Sequence, residues 1–192
     1  MHRVRLVLLT IVSCGLFSES TLSAAEEVLV PPALQAELVA KVAGYDKNFA
    51  TRAGDRAHVL IIVLPTNPDS TTFGTSIQTA LGGLPAIAGL PHDETIVPYP
   101  GSAQLVALCK SKRAAIVYLA PGLRDEVPKV RAALEGTSVL SVSANAEDVA
   151  KGIVLGFDLV SGKPKIVVQL TQAKKQDVAF RSELLKLARV IE

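Results

Sequence analysis

A chain of 192 residues with 20 basic and 18 acidic side chains has room for one good hydrophobic core, and too little net charge for its field to draw it to nucleic acid or an anionic membrane. Aromatic residues make up only 4% and tryptophan is absent, which argues against a stacking platform for bases or sugars. Hydrophobic residues reach 49%, a share raised by the N-terminal segment.

That segment opens with Arg3 and Arg5, runs apolar over residues 6–17, and ends on the small residues Ser23, Ala24 and Ala25, as a cleavage site requires. The apolar run is too short to span a bilayer. Residues 1–25 therefore read as a cleaved secretory signal, leaving residues 26–192 as a single exported domain in the periplasm. A rival reading takes Ile11, Val12, Ser13 and Cys14 as a lipobox, with the protein anchored through a lipidated Cys14. Cleavage after Ala25 leaves Cys109 as the only cysteine, so no internal disulfide can form. Its helix-like neighbours Leu105, Val106 and Leu108 make it a small buried hydrophobe rather than a reactive thiol.

Pro31 and Pro32 open a helical stripe of Leu34, Leu38, Val42 and Tyr45, with Glu37 and Lys41 paired on its polar side. Residues 59–64 are a β-branched and leucine run stopped by Pro65, the pattern of a central strand buried on both faces. Residues 66–74 read as a polar turn, and Ile77, Ala80 and Leu81 as a short helix halted by Gly82 and Gly83. The glycine-rich stretch 82–89 lacks the G-x-G-x-x-G and Walker spacings and reads as a loop. Next come a short strand over 95–99, a helix over 102–112 capped by Ser102, and a buried strand over 114–120 closed by Pro121 and Gly122. A helix over 127–134 holds Pro128 in its first turn, a strand follows over 138–142, and Asn145 or its neighbour caps another short helix. This alternation predicts an α/β fold, a mostly parallel sheet with helices on both faces.

The last forty residues change the pattern. Ile153, Leu155, Phe157 and Leu159 alternate with period two, as do Ile166, Val168 and Leu170, and Ser161-Gly162 between them reads as a hairpin turn. Beyond Ser182, a good N-cap, Leu184, Leu187, Ala188 and Ile191 recur at helical spacing, predicting a terminal helix with one buried stripe. The sheet is thus expected to close with an antiparallel hairpin and a terminal helix.

The same stretch resembles the YfiR-like periplasmic proteins. The resemblance rests on Gly152, Phe157, Gly162, Lys163, Ile166 and Val168, on Lys174 and Lys175, and on the run Ser182, Leu184, Leu185, Lys186, Leu187, Ala188, Arg189, Val190. It departs at Gln169, where the family favours Asn, at Asp177, where it favours Gly, and in lacking the family's cysteine pairs. Proteins of that kind restrain a membrane-bound diguanylate cyclase by binding its periplasmic sensor domain, which controls cyclic di-GMP and biofilm formation. The partner implied is the periplasmic domain of such a cyclase or of a sensor kinase, with a second copy of the chain as a further candidate.

No residue set has the spacing of a catalytic constellation, so the chain reads as a non-enzymatic binding protein without cofactor or metal. His92, Asp93 and Glu94 are adjacent but lack the H-E-x-x-H frame, and read as a solvated loop. Ser102 follows Gly101 without a G-x-S-x-G elbow. Lys174 and Lys175 read as a solvated face. A parallel α/β sheet does offer a crevice at the carboxyl ends of its strands, and here Thr66, Asn67, Tyr99, Gly122, Ser143 and Asn145 fall there. They are small and polar, fit to hydrogen-bond a ligand or a partner, so the alternative function is a solute-binding component of an uptake or sensory system.

Export gives the first test. The intact mass of protein from the periplasmic fraction is expected to match a chain beginning at Glu26; an acylated Cys14 at the N-terminus would establish the lipoprotein instead.

Overall fold

The computed structural model describes residues 28–192, so the expected signal segment over 1–25 and the alternative anchor at Cys14 lie outside the described residues. In chain order the elements are α1 (Pro32–Ala43), α2 (Phe49–Ala53), β1 (Ala57–Val63), α3 (Pro68–Gly82), β2 (His92–Pro98), α4 (Ser102–Lys112), β3 (Ala114–Leu119) and α5 (Val127–Leu134). Then follow β4 (Leu140–Ser143), α6 (Ala146–Ala150), β5 (Leu155–Val160), β6 (Lys163–Gln169), α7 (Leu170–Lys175), α8 (Ser182–Leu187) and β7 (Arg189–Ile191). They build one seven-stranded sheet in the order β2-β1-β3-β4-β5-β6-β7. Only the β5–β6 pair is antiparallel. The expected α/β architecture, hairpin and terminal helix are all present.

Both faces of the central strands are covered. Val59, Ile61 and Val63 of β1 join a core with Ala36 and Val39 of α1 and Ile77 and Leu81 of α3. Leu60 and Ile62, pointing the other way, join Leu105 of α4 and Val127 and Val130 of α5. Gly74 sets the approach of α3 to β1, because a Cβ there would lie 2.4 Å from Cγ1 of Val63. Cys109 belongs to the second core at 6% exposure, and burial pushes its thiol up to about 11. Tyr118 of β3 is wholly buried, and its hydroxyl donates to Oε1 of Gln35 on α1. The Gln35 amide in turn donates to the Val30 carbonyl at 2.8 Å, so Tyr118 and Gln35 pair their buried polar ends.

The start and end of the domain meet at the amino edge of the sheet. Asp46, after α1, is buried and accepts from Arg52 Nη1 at 2.6 Å, Asn48 N at 3.1 Å and Ala179 N at 2.9 Å. Arg52 also donates to the Asp177 carbonyl at 2.8 Å. The departures at Asp177 and Gln169 each have a physical account here. Asp177 sits at φ 55, a left-handed conformation that aspartate tolerates better than most residues, and its carboxylate accepts from Asn48 and Ser138. Gln169 is the N-cap of α7, where asparagine is also favoured, and its side chain accepts from Thr171 N.

Four expectations are corrected. The polar stretch after Thr66 is no turn: α3 is one helix of 15 residues, opened by Asn67, whose Oδ1 accepts from the amides of Asp69 and Ser70. His92, Asp93 and Glu94 are not a loop but the first residues of β2, paired in parallel with β1. Ser102 and Ser182 are first helical residues rather than caps; Gly101 and Arg181 hold the cap positions. The C-terminal stripe fails after one turn, because α8 ends at Leu187 and the chain extends into β7 alongside β6. Leu184 is 1% exposed but Leu187 is 62% exposed. The short helices α2 and α7 were not foreseen either.

Both sheet edges are poor templates for another strand. On β2, Tyr99 N donates to Val63 O, so by alternation His92, Glu94, Ile96 and Pro98 turn their backbone groups outward. The carbonyls of His92 and Glu94 are taken by Arg56 and Gln78, and Pro98 has no N–H to offer. At the other edge β7 has three residues, and where β6 overhangs it the outward position belongs to Pro164.

The contrast in the last helix is measurable. Leu184→Ala is expected to cost about 2–5 kcal/mol of stability in denaturant unfolding, whereas Leu187→Ala should stay within about 0.5 kcal/mol of wild type. Equal losses would mean that Leu187 is buried.

Candidate functional site

The strand order reverses between β1 and β3, and in such sheets ligands are bound outside the carboxyl ends of the strands at that point. Two of the expected residues meet there. Asn67 leaves β1 as the cap of α3, and Gly122 follows β3 at φ 92. A Cβ on residue 122 would fall 2.5 Å from Nδ2 of Asn67, so this approach requires glycine in both space and backbone conformation. Thr66, beside them, is exposed. Tyr99 follows β2 and is half-buried. Its hydroxyl has no well-formed hydrogen bond, and burial, with the Glu126 carboxylate beside it, pushes it up to about 12.

Ser143 and Asn145 form a second group at the end of β4. The Ser143 hydroxyl donates to Oδ2 of Asp148 at 2.6 Å and accepts from Asn145 N at 3.2 Å, while Asn145 stands at the N-cap position of α6. Asp148, which the sequence did not single out, is 4% exposed, and its Oδ1 lacks a hydrogen-bond partner. Burial raises its carboxyl above the ordinary range, against the Ser143 hydroxyl, Lys151 and Arg124, which lower it, and with a further raising contribution from Glu147. A lone aspartate in the first turn of a helix gives no local sign of burial; only the packing of α6 onto β5 creates it.

Beside α6 lies a cavity of about 480 Å³, walled by Val28 and Leu29 at one end of the chain and Arg189 and Ile191 at the other, with Phe157 and Leu159 from β5. Arg189 pairs with Asp158 at 3.1 Å on its rim. No local motif could announce it, because its walls come from opposite ends of the sequence. At the amino end of the sheet, His92 bonds the Glu94 carboxylate through Nδ1 and the Leu84 carbonyl through Nε2 at 3.0 Å, and His58 lies 2.8 Å from Asp93. Among the described residues no group of three or more histidine, cysteine or acidic side chains is arranged to hold a metal ion.

A mostly parallel sheet with helices on both faces and polar residues at its strand ends places the domain in the open α/β class. Solved structures share the architecture. A crystal structure of an ABC domain in complex with L-Trp from Streptococcus pneumonia superposes with a TM-score of 0.60 at 15% identity, covering 84% of this chain and 60% of that one. A conserved domain protein from Vibrio cholerae O1 biovar El Tor gives 0.56 at 12% identity, covering 87% and 62%. The chain thus spans about 60% of the length of these structures, and at such identities the likeness is one of fold. No curated protein matches. The YfiR/HmsC-like family profile matches residues 33–189, and the chain belongs to that family. The family is periplasmic and regulatory, associated with control of a membrane diguanylate cyclase. Among the described residues no helix is long and apolar enough to cross a membrane.

Asp148 supplies a pH test. Its folded-state value lies above the unfolded one of about 3.9, so the cost of charging it is present at neutral pH and disappears as the pH falls through the folded value to below the unfolded one. Asp148→Asn is therefore expected to raise the melting temperature at pH 7, by about 2–4 °C for each kcal/mol of relieved penalty, with the gain vanishing near pH 3.5. A variant less stable than wild type at pH 7, with the loss shrinking toward pH 3.5, would show instead that the fold selects the charged form.

Proposed function

We propose that this protein is an exported, non-enzymatic regulator that binds the periplasmic domain of a membrane-bound diguanylate cyclase, or of a related sensor kinase, and holds it inactive. The observation that carries this reading is the family match, which runs through nearly the whole described domain, from 33 to 189. A binding protein restrains an enzyme only by favouring its inactive conformation, and moving a population from 1:99 to 99:1 takes a preference of about 10⁴-fold. The contact face in this reading is the carboxyl edge, with Thr66, Asn67, Tyr99 and Gly122 at the switch point, while Ser143 and Asn145 at the end of β4, 1% and 7% exposed, support it from beneath. Asn67 and Ser143 are already bonded inside the fold, so the edge is presented to a partner preorganised.

Deleting the gene is expected to raise cyclic di-GMP and surface attachment. The full-length chain should restore both, and a version lacking residues 1–25 should restore neither. Unchanged cyclic di-GMP, with the cyclase present and expressed, would overturn the regulatory role and favour a solute-binding component.

A further inference from the structure

A second cavity, of about 400 Å³, opens at the amino edge of the sheet, away from the strand ends discussed so far. Its walls are α2, the last turn of α4 with Arg113, and the turn over residues 136–138 before β4. Three cations line it, Arg52, Lys110 and Arg113, and no acidic residue does. The three differ in what they have left to offer. The Arg52 side chain, 2% exposed, is matched by Asp46 and held by the Asp177 carbonyl and Ser138 Oγ. Lys110 and Arg113, like several other surface cations, form no ion pair among the described residues, but only these two share a cavity with Arg52.

Two further features set this cavity apart from a solvated helix end. Arg113 sits at φ 48, the left-handed place after a helix that glycine fills without strain, and this backbone turn sets its side chain at the cavity wall. The α4 terminus itself carries about half a negative charge, too little to neutralise two full cations. The floor is apolar, made by Ala114, Val139 and Cys109, whose buried thiol stays neutral and adds no negative charge.

We propose that this cavity binds a phosphomonoester, its dianion matched by Lys110 and Arg113 and its apolar body by the floor between them. Guanidinium and ammonium groups are the usual partners of such oxygens. Arg52 lines the same cavity and holds the Asp177 carbonyl, so an occupant touches the joint between the two ends of the domain. Resting on the regulatory reading above, occupancy there would tune the restraint.

The test needs only the purified chain over residues 26–192, so its outcome is independent of any cyclase. Phenyl phosphate and inorganic phosphate would be titrated at low salt, following amide NMR shifts, and phosphatidylcholine vesicles with and without phosphatidic acid would be co-sedimented with the protein. Saturating shifts at Gly136, Thr137 and Ser138 are expected, stronger for phenyl phosphate and weakened by salt. The double variant Lys110→Gln with Arg113→Gln should weaken binding about tenfold or more at an unchanged melting temperature. Removing the same charge elsewhere, with Lys163→Gln and Lys165→Gln, should leave it intact. Binding to soluble phosphates alone points to a free metabolite, and binding to phosphatidic acid vesicles alone to a lipid headgroup. No binding to any of these, or equal loss in both double variants, overturns the proposal.

Discussion

Strands β1 and β3 impose the constraint on which this domain is built: almost every residue in them is buried, and each strand feeds two cores at once. An apolar side chain moved from water to such a place contributes about 1.5–3 kcal/mol, so leaving either face open would forfeit most of what holds the sheet together. Parallel neighbours supply the cover, because each crossover lays a helix on one face. α1 and α3 take one side, α4 and α5 the other, and the order of the strands follows. The reversal between β1 and β3, and with it the crevice at their carboxyl ends, is therefore a by-product of burying these two strands.

A doubly covered sheet still has to be closed where the chain enters and leaves. Asp46 does this at one edge, gathering a guanidinium and two backbone amides from segments more than a hundred residues apart in sequence. Such a buried carboxylate is costly unless its acceptor sites are filled, and here three donors converge on it. The same joint places Arg52 and Asp177 next to the cationic cavity, whereas the cavity beside α6 is walled by the other meeting of the two chain ends. Packing and the candidate sites thus share their parts.

The sequence was most legible where local pattern and tertiary demand agree. Residues 59–64 and 114–120 could only be buried strands, the helices over 102–112 and 127–134 match the structure to the residue, and Ser161-Gly162, both at positive φ, form the expected turn. Legibility failed where partners decide. The Asp, Ser and Thr residues after Asn67 favour turns in isolation, but capping by Asn67 and packing on β1 draw them into α3. His92 to Glu94 look solvated until strand pairing is formed, with His92 bonded to Leu84 and Asp93 to His58. Leu187 has the helical spacing of a core residue, yet pairing with β6 pulls the chain out of helix just after it. In the candidate site, Asn67, Ser143 and Asn145 could be named because strand ends can be read from pattern; Asp148 and both cavities could not, since their neighbours are distant in sequence.

The prolines at the two sheet margins carry a consequence for selectivity. Strand addition is the least discriminating way for proteins to associate, because every backbone offers the same donors and acceptors. With Pro98 and Pro164 in outward places and the carbonyls of His92 and Glu94 already occupied, that generic route is hindered at both margins. Such margins shift recognition toward side chains, and those can diverge between duplicated copies. Related domains of this type can then share one compartment, each insulated from the others' partners.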